Sequence, residues 1–81
     1  MHVRIRLFAS YREAAGTSQL EVPVGAGARV QDVLTLLAER IPSLTTAKGL
    51  IAVNHTYVGP DFMLHPGDEV ALIPPVSGGG A

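Results

Sequence analysis

One stretch of this chain carries an apolar stripe at helical spacing, and it dictates the rest. Val30, Val33, Leu34, Leu37, Ala38 and Ile41 recur at the intervals that bring side chains to one face of a helix. Asp32 falls in the first turn, where a negative charge suits the positive helix end. Pro42 stops the helix after Arg40 and Ile41. A lone helix cannot bury its stripe on a second helix, so it must lie on a sheet. The chain has 81 residues, 47% of them hydrophobic. That suffices for one domain with a radius of gyration of roughly 12 Å and a modest core. A deep substrate cleft is not expected from so short a chain.

The segments around the helix have the period of strands. Val3, Ile5 and Leu7 alternate with His2, Arg4 and Arg6. Phe8 continues the parity of the arginines, so it either folds over a strand end or belongs to a contact surface. Ser10 is placed to cap a short helical turn over Tyr11–Ala15, ended by Gly16. Leu20, Val22 and Val24 alternate again, and Pro23 puts this second strand at a sheet edge. After the helix, Leu50–Val53 reads as a short strand, and Asn54-His55-Thr56 as a turn before Tyr57-Val58. Gly59-Pro60-Asp61 breaks the chain. His65-Pro66-Gly67-Asp68 has Pro and Gly where a type II turn wants them. The last strand, Glu69–Ile73, directs Val70 and Leu72 to the helix and leaves Ala71 and Ile73 on the opposite face. The expected fold is α+β, a mixed four- to five-stranded sheet covered on one face by one main helix.

Charge and composition exclude several functions. Six Lys and Arg against seven Asp and Glu give a net charge of −1, without the basic field that nucleic acid requires. With zero cysteines there is no disulfide, thiolate zinc site or catalytic thiol. No apolar run approaches the ~18 residues of a membrane span. Met1–Arg4 alternates like a strand and lacks a signal peptide's apolar block. The expectation is a soluble cytoplasmic protein with no membrane or nucleic-acid partner.

Side chains with chemistry are scattered. His2, His55 and His65 show no metal-ligand spacing, and no metal or cofactor is expected. Ser10, Ser18, Ser43 and Ser77 have no His and acidic partner in recognisable order. Gly25-Ala26-Gly27-Ala28 before the helix lacks the rest of a phosphate-loop pattern. Asp68-Glu69 reads as a turn and a solvated strand start. The C-terminus differs from all of these. Pro74-Pro75-Val76-Ser77-Gly78-Gly79-Gly80-Ala81 leaves the sheet stiffly and continues with small residues that have nothing to pack on. It reads as a frayed end, or as a thread whose glycines enter a narrow channel and present a terminal carboxylate. Pro74 to Gly79 can reach ~20 Å when extended.

The segments together resemble a known family. Leu7-Phe8-Ala9 with Arg12–Gly16, Val30–Leu34, Ala52-Val53-Asn54, Leu64–Ala71 and above all Pro74-Pro75-Val76-Ser77-Gly78-Gly79 are similar to the small subunit of molybdopterin synthase. That family comprises sulfur carriers of the ubiquitin-like β-grasp fold. The resemblance implies a β-grasp domain over residues 1–73 and a flexible Pro/Gly tail over 74–81. It implies that the carboxylate of Gly79, presented through Gly78, is adenylated by an E1-like ATP-dependent enzyme. Conversion to a thiocarboxylate and transfer of sulfur to cyclic pyranopterin monophosphate would follow. The partner is then the large synthase subunit, in a heterotetramer, and the carrier is not an enzyme on its own. First and last strands are neighbours in this fold, so strand parity brings Phe8 and Ile73 together on the face away from the helix. That pair, with Pro74, Pro75, Val76 and Ser77, is the expected partner-binding set. Two departures stand out. Gly80 and Ala81 follow the family's usual last glycine, which implies a trimming peptidase, a shifted terminus or an inactive copy. Arg29 replaces a capping Thr before Val30, a loss of ~1 kcal/mol at the helix start. The alternatives are a carrier for another thiolation route, thiamine or tRNA, and a β-grasp binding module that has lost activation.

Overall fold

The computed structural model describes residues 1–44 and 49–75. In chain order these residues form β1 (His2–Leu7), α1 (Ala9–Ala15), β2 (Gln19–Pro23), α2 (Val30–Arg40), β3 (Leu50–Val53), β4 (Thr56–Tyr57) and β5 (Glu69–Ile73). The five strands make one sheet in the order β2-β1-β5-β3-β4. β1 and β5 run parallel, and the other neighbours are antiparallel, so the sheet is mixed. This is the β-grasp arrangement expected, with the first and last strands adjacent at the centre.

Strand parity decides the core. Val3, Ile5 and Leu7 of β1, Val22 of β2, Val53 of β3, and Val70 and Leu72 of β5 are buried against Val30, Val33 and Leu37 of α2. Leu34 and Ala38 were expected in the same stripe. Leu34 is only partly buried and Ala38 is exposed. The stripe is centred on Val30, Val33 and Leu37, which puts Leu34 and Leu36 on its two flanks. Pro23 ends β2 at the sheet edge as expected, where its missing N–H costs no ladder bond.

The start of α1 also differs from expectation. The helix begins at Ala9, its N-cap is extended Phe8, and no side chain caps it, so Ser10 lies inside the helix. Ala9 takes a positive φ of 48°, which lets the chain turn directly out of β1. The Phe8 carbonyl then accepts from Tyr11 and Arg12 N–H, at 3.0 and 3.4 Å, in place of a serine cap. Gly16 ends the helix in the left-handed region, as expected.

Arg29 does precede α2 and offers it no side-chain acceptor. Yet the helix start is fully paired. Arg29 N–H donates to Asp32 Oδ2 at 2.9 Å. Val30 N–H donates to Phe62 O and Gln31 N–H to Pro60 O, both at 3.0 Å, and Asp32 N–H to Arg29 O at 2.9 Å. The loop after β4 therefore caps the helix from across the domain. The first N–H groups of α2 are therefore bonded and not free to hold an anion.

Candidate functional site: the open sheet face at the root of the tail

Among the described residues, the face of the sheet away from α2 is left uncovered. β1 presents His2, Arg4 and Arg6 on it and β2 presents Gln19 and Glu21, by the register of their pairing. The other half is mostly apolar, apart from Glu69 of β5, which pairs with Arg4 at 3.7 Å. Ala71 and Ile73 of β5 stand beside Ala52 and Leu50 of β3, and Tyr57 of β4 pairs across from Ala52. Phe8 closes this half from the end of β1, with the Arg6 guanidinium 5.6 Å from its ring centre. Phe8, Ala52, Tyr57, Ala71 and Ile73 line one shallow groove of ≈ 260 Å³, together with the polar Arg6, His55 and Glu69.

Phe8 and Ile73 thus share one surface, as strand parity predicted. Phe8 is 39% exposed, and Ile73 is half-buried, so neither is consumed by the core. Tyr57, 69% exposed, is the residue sequence reasoning missed. The signal existed. A two-residue turn at Asn54-His55, both with positive φ, starts β4 at Thr56 and throws Tyr57 onto the open face. A three-residue turn through Thr56 hides that parity.

β5 runs through the middle of this surface and delivers the chain to Pro74, half-buried, and Pro75, exposed. Val76, Ser77, Gly78 and Gly79, the remainder of the expected site, lie outside the described residues. Beneath this exit sits Tyr11, the buried residue of α1. Its hydroxyl is shut off from solvent and has no hydrogen-bond partner among the described residues. Burial pushes its pKa above the usual 10.0, and at neutral pH the group is a donor. Gly49 packs against it. A methyl group on Gly49 would overlap the Tyr11 hydroxyl and come within 2.7 Å of the Ile73 carbonyl oxygen.

The remaining polar residues make structure. Asn54 Nδ2 donates to Asp68 Oδ1 at 2.9 Å, and Asn54 Oδ1 accepts from Glu69 N–H at 3.2 Å, tying the β3–β4 turn to the start of β5. Asp68 Oδ2 accepts from His65 N–H at 2.8 Å inside the Pro66-Gly67 turn. Among the described residues no three His, Asp or Glu side chains gather as metal ligands. No described helix is long and apolar enough to cross a membrane. A groove of ≈ 440 Å³ between the Gly25–Ala28 loop and Leu36 lies apart from the open face, and its acid, Asp32, is bound to Arg29 N–H.

What the described residues offer is an exposed, largely apolar surface beside the point where the chain leaves β5. Residues 5–79 match the model of the ThiS family. The molybdopterin synthase sulfur carrier subunit of Chlamydomonas reinhardtii is 37% identical over 98% of this chain and 100% of its own length. That of Escherichia coli K12 is 38% identical over 95% of this chain and 99% of its own. In structure, small archaeal modifier protein 1 of Haloferax volcanii superposes with a TM-score of 0.86 at 29% identity, covering 95% of this chain and 98% of the other. The chain belongs to the ThiS family of ubiquitin-like β-grasp proteins, alongside the molybdopterin synthase sulfur carrier subunits.

Proposed function

We propose that this protein is the sulfur carrier subunit of a molybdopterin synthase, with the carboxylate of Gly79 as its reactive group. The observation that carries the reading is the continuity of the apolar half-face with the exit of the tail. Phe8, Tyr57, Ala71 and Ile73 form a surface that a partner can grip, and β5 leads from it straight into Pro74-Pro75. A grip of this kind beside a threadable end fits a cosubstrate on a tether.

The chemistry needs a free glycine carboxylate. Carboxylate oxygen attacks the α-phosphorus of ATP in an E1-like enzyme, pyrophosphate leaves, and an acyl adenylate forms. Hydrosulfide attacks the acyl carbon and expels AMP, which leaves the thiocarboxylate. The large synthase subunit then takes the sulfur to cyclic pyranopterin monophosphate. Glycine suits each step because it has no side chain to obstruct a narrow channel. The family match ends at residue 79, which supports Gly79 as the reactive position. Gly80 and Ala81 follow it in this sequence, and the carrier reading requires that they be removed before its carboxylate can react. One residue of error displaces the end by roughly 3.5 Å, far outside the tolerance of an in-line attack.

Intact-mass spectrometry tests this reading. The chain ending at Gly79 and the 81-residue chain are each incubated with the activating enzyme, ATP and a sulfur source. We expect the shorter chain to exchange one oxygen for one sulfur and the longer chain to stay unchanged. No exchange on the shorter chain refutes the carrier role, and exchange on the longer chain refutes the processing step. Phe8→Ala or Ile73→Ala should weaken binding to the large subunit by at least ~1 kcal/mol with the domain still folded.

A further inference from the structure

The tail root and the group buried beneath it are complementary in a way that the docking surface does not require. Pro74 and Pro75 have no backbone N–H, so the chain leaving the sheet offers carbonyl oxygens alone over these residues. Such a segment can be held by backbone hydrogen bonds only where the domain supplies a donor. The Tyr11 hydroxyl is a donor whose acceptor is missing among the described residues. It lies against Gly49, and the position a Gly49 methyl would occupy also touches the Ile73 carbonyl oxygen. The hydroxyl, the glycine and the last carbonyl of β5 therefore converge where the tail begins. A phenylalanine would fill the same core space without burying a polar atom that is unpaired among the described residues, so the hydroxyl calls for an explanation other than packing.

Resting on the carrier reading above, we propose that Tyr11 is a positioning residue for sulfur transfer, its hydroxyl donating to a tail-root carbonyl of residues 73–75 when the tail is drawn straight into a partner's active site. Gly49 keeps the space between them open. The leverage is large. The tail from Pro74 to Gly79 spans up to ~20 Å, so a swing of about 10° at its root moves the end by roughly 3–4 Å. Reacting groups tolerate far less. Pro-Pro supplies stiffness along the tail, and the hydrogen bond supplies its direction. At neutral pH a tyrosine hydroxyl carries its proton, and burial of Tyr11 raises its pKa further.

Tyr11→Phe removes the hydroxyl and leaves the ring. The chain ending at Gly79, wild type and variant, is converted to the thiocarboxylate and mixed with its large subunit and cyclic pyranopterin monophosphate. Single-turnover sulfur transfer, affinity for the large subunit and the melting temperature are measured. We expect transfer to slow about tenfold in Tyr11→Phe, with affinity within twofold and melting unchanged or higher. Gly49→Ala, which crowds the same point, should slow transfer as well. Transfer by Tyr11→Phe within twofold of wild type overturns the proposal. A loss confined to affinity or melting also overturns it, since that is what a packing role predicts. Failure of the wild-type chain to transfer sulfur refutes the carrier reading instead.

Discussion

Replacing Arg29 by threonine ought to stabilise a helix whose N-cap has no side-chain acceptor. Gains at such positions are typically about 1 kcal/mol. The structure predicts almost none. A threonine hydroxyl at the cap serves the N–H of the second or third helical residue, here Gln31 or Asp32. Gln31 N–H is already bonded to Pro60 O at 3.0 Å and Asp32 N–H to Arg29 O at 2.9 Å. Exchanging one satisfied bond for another changes stability by a few tenths of about 1 kcal/mol. The substitution also removes the Arg29 Nη1 bond to Asp61 O at 3.3 Å, itself exposed and weak. Asp32→Ala is the contrasting perturbation. It strips the acceptor from Arg29 N–H and a negative charge from the first turn, together about 1–2 kcal/mol. In a domain of this size each 1 kcal/mol moves the melting temperature by about 4–8 °C. Thermal unfolding followed by circular dichroism should therefore show Arg29→Thr within about 2 °C of wild type and Asp32→Ala lower by about 5–15 °C. A threonine variant that melts 5 °C or more higher, on the scale of about 1 kcal/mol, would mean that the loop carbonyls do not satisfy the helix start.

Leu37 is fully buried, so Leu37→Ala should cost about 2–5 kcal/mol in urea unfolding, and an unchanged midpoint would contradict its place in the core. His55 holds a φ of 72° that glycine adopts without strain, so His55→Gly should stabilise the domain by about 0.5–1 kcal/mol, the relief of strain exceeding the entropy glycine adds to the unfolded chain. Burial raises the Tyr11 pKa above 10.0. The unfolded chain thus releases that proton first, so this contribution is intact below about pH 10 and declines as pH rises, by up to about 1.4 kcal/mol per unit. Urea titrations between about pH 9 and 11 should show a shallower alkaline decline in Tyr11→Phe, and parallel curves would refute it.

The parts of this fold that are legible in the sequence are those written as a period. β1, α2 and β5 each bury every second residue or every third to fourth, and their apolar residues announce it. Phe8 and Ile73 were legible as a surface pair for the same reason, since parity carries past the end of a strand. What escaped notice has no period. Leu44 and Leu64 are buried in coil, where no neighbour marks the inward direction. The capping of α2 by Pro60 and Phe62 joins segments about thirty residues apart, so the local reading found a deficit at Arg29 that the tertiary fold removes. Ser10 had the chemistry of a cap, but the turn out of β1 comes two residues earlier than a cap there needs. Tyr57 depended on the length of a turn, where an error of one residue exchanges the two faces of a strand.

On the carrier reading proposed above, β5 is well placed to bear the tail. A tail drawn into a partner's active site pulls on the strand that bears it. β5 is bonded on both sides, to β1 along Glu69–Leu72 and to β3 along Val70–Ile73, whereas β2 and β4 are held on one side only. Val70 and Leu72 lock it to the helix side, and Asn54 pins its start through Glu69 N–H. The same strand sends Ala71 and Ile73 to the face away from α2. One five-residue element therefore takes the load in the core, offers the grip beside the tail, and releases the chain at Pro74. The alternation of a β-strand lets these demands fall on different residues, so the partner surface can change without touching the side chains that keep the domain folded.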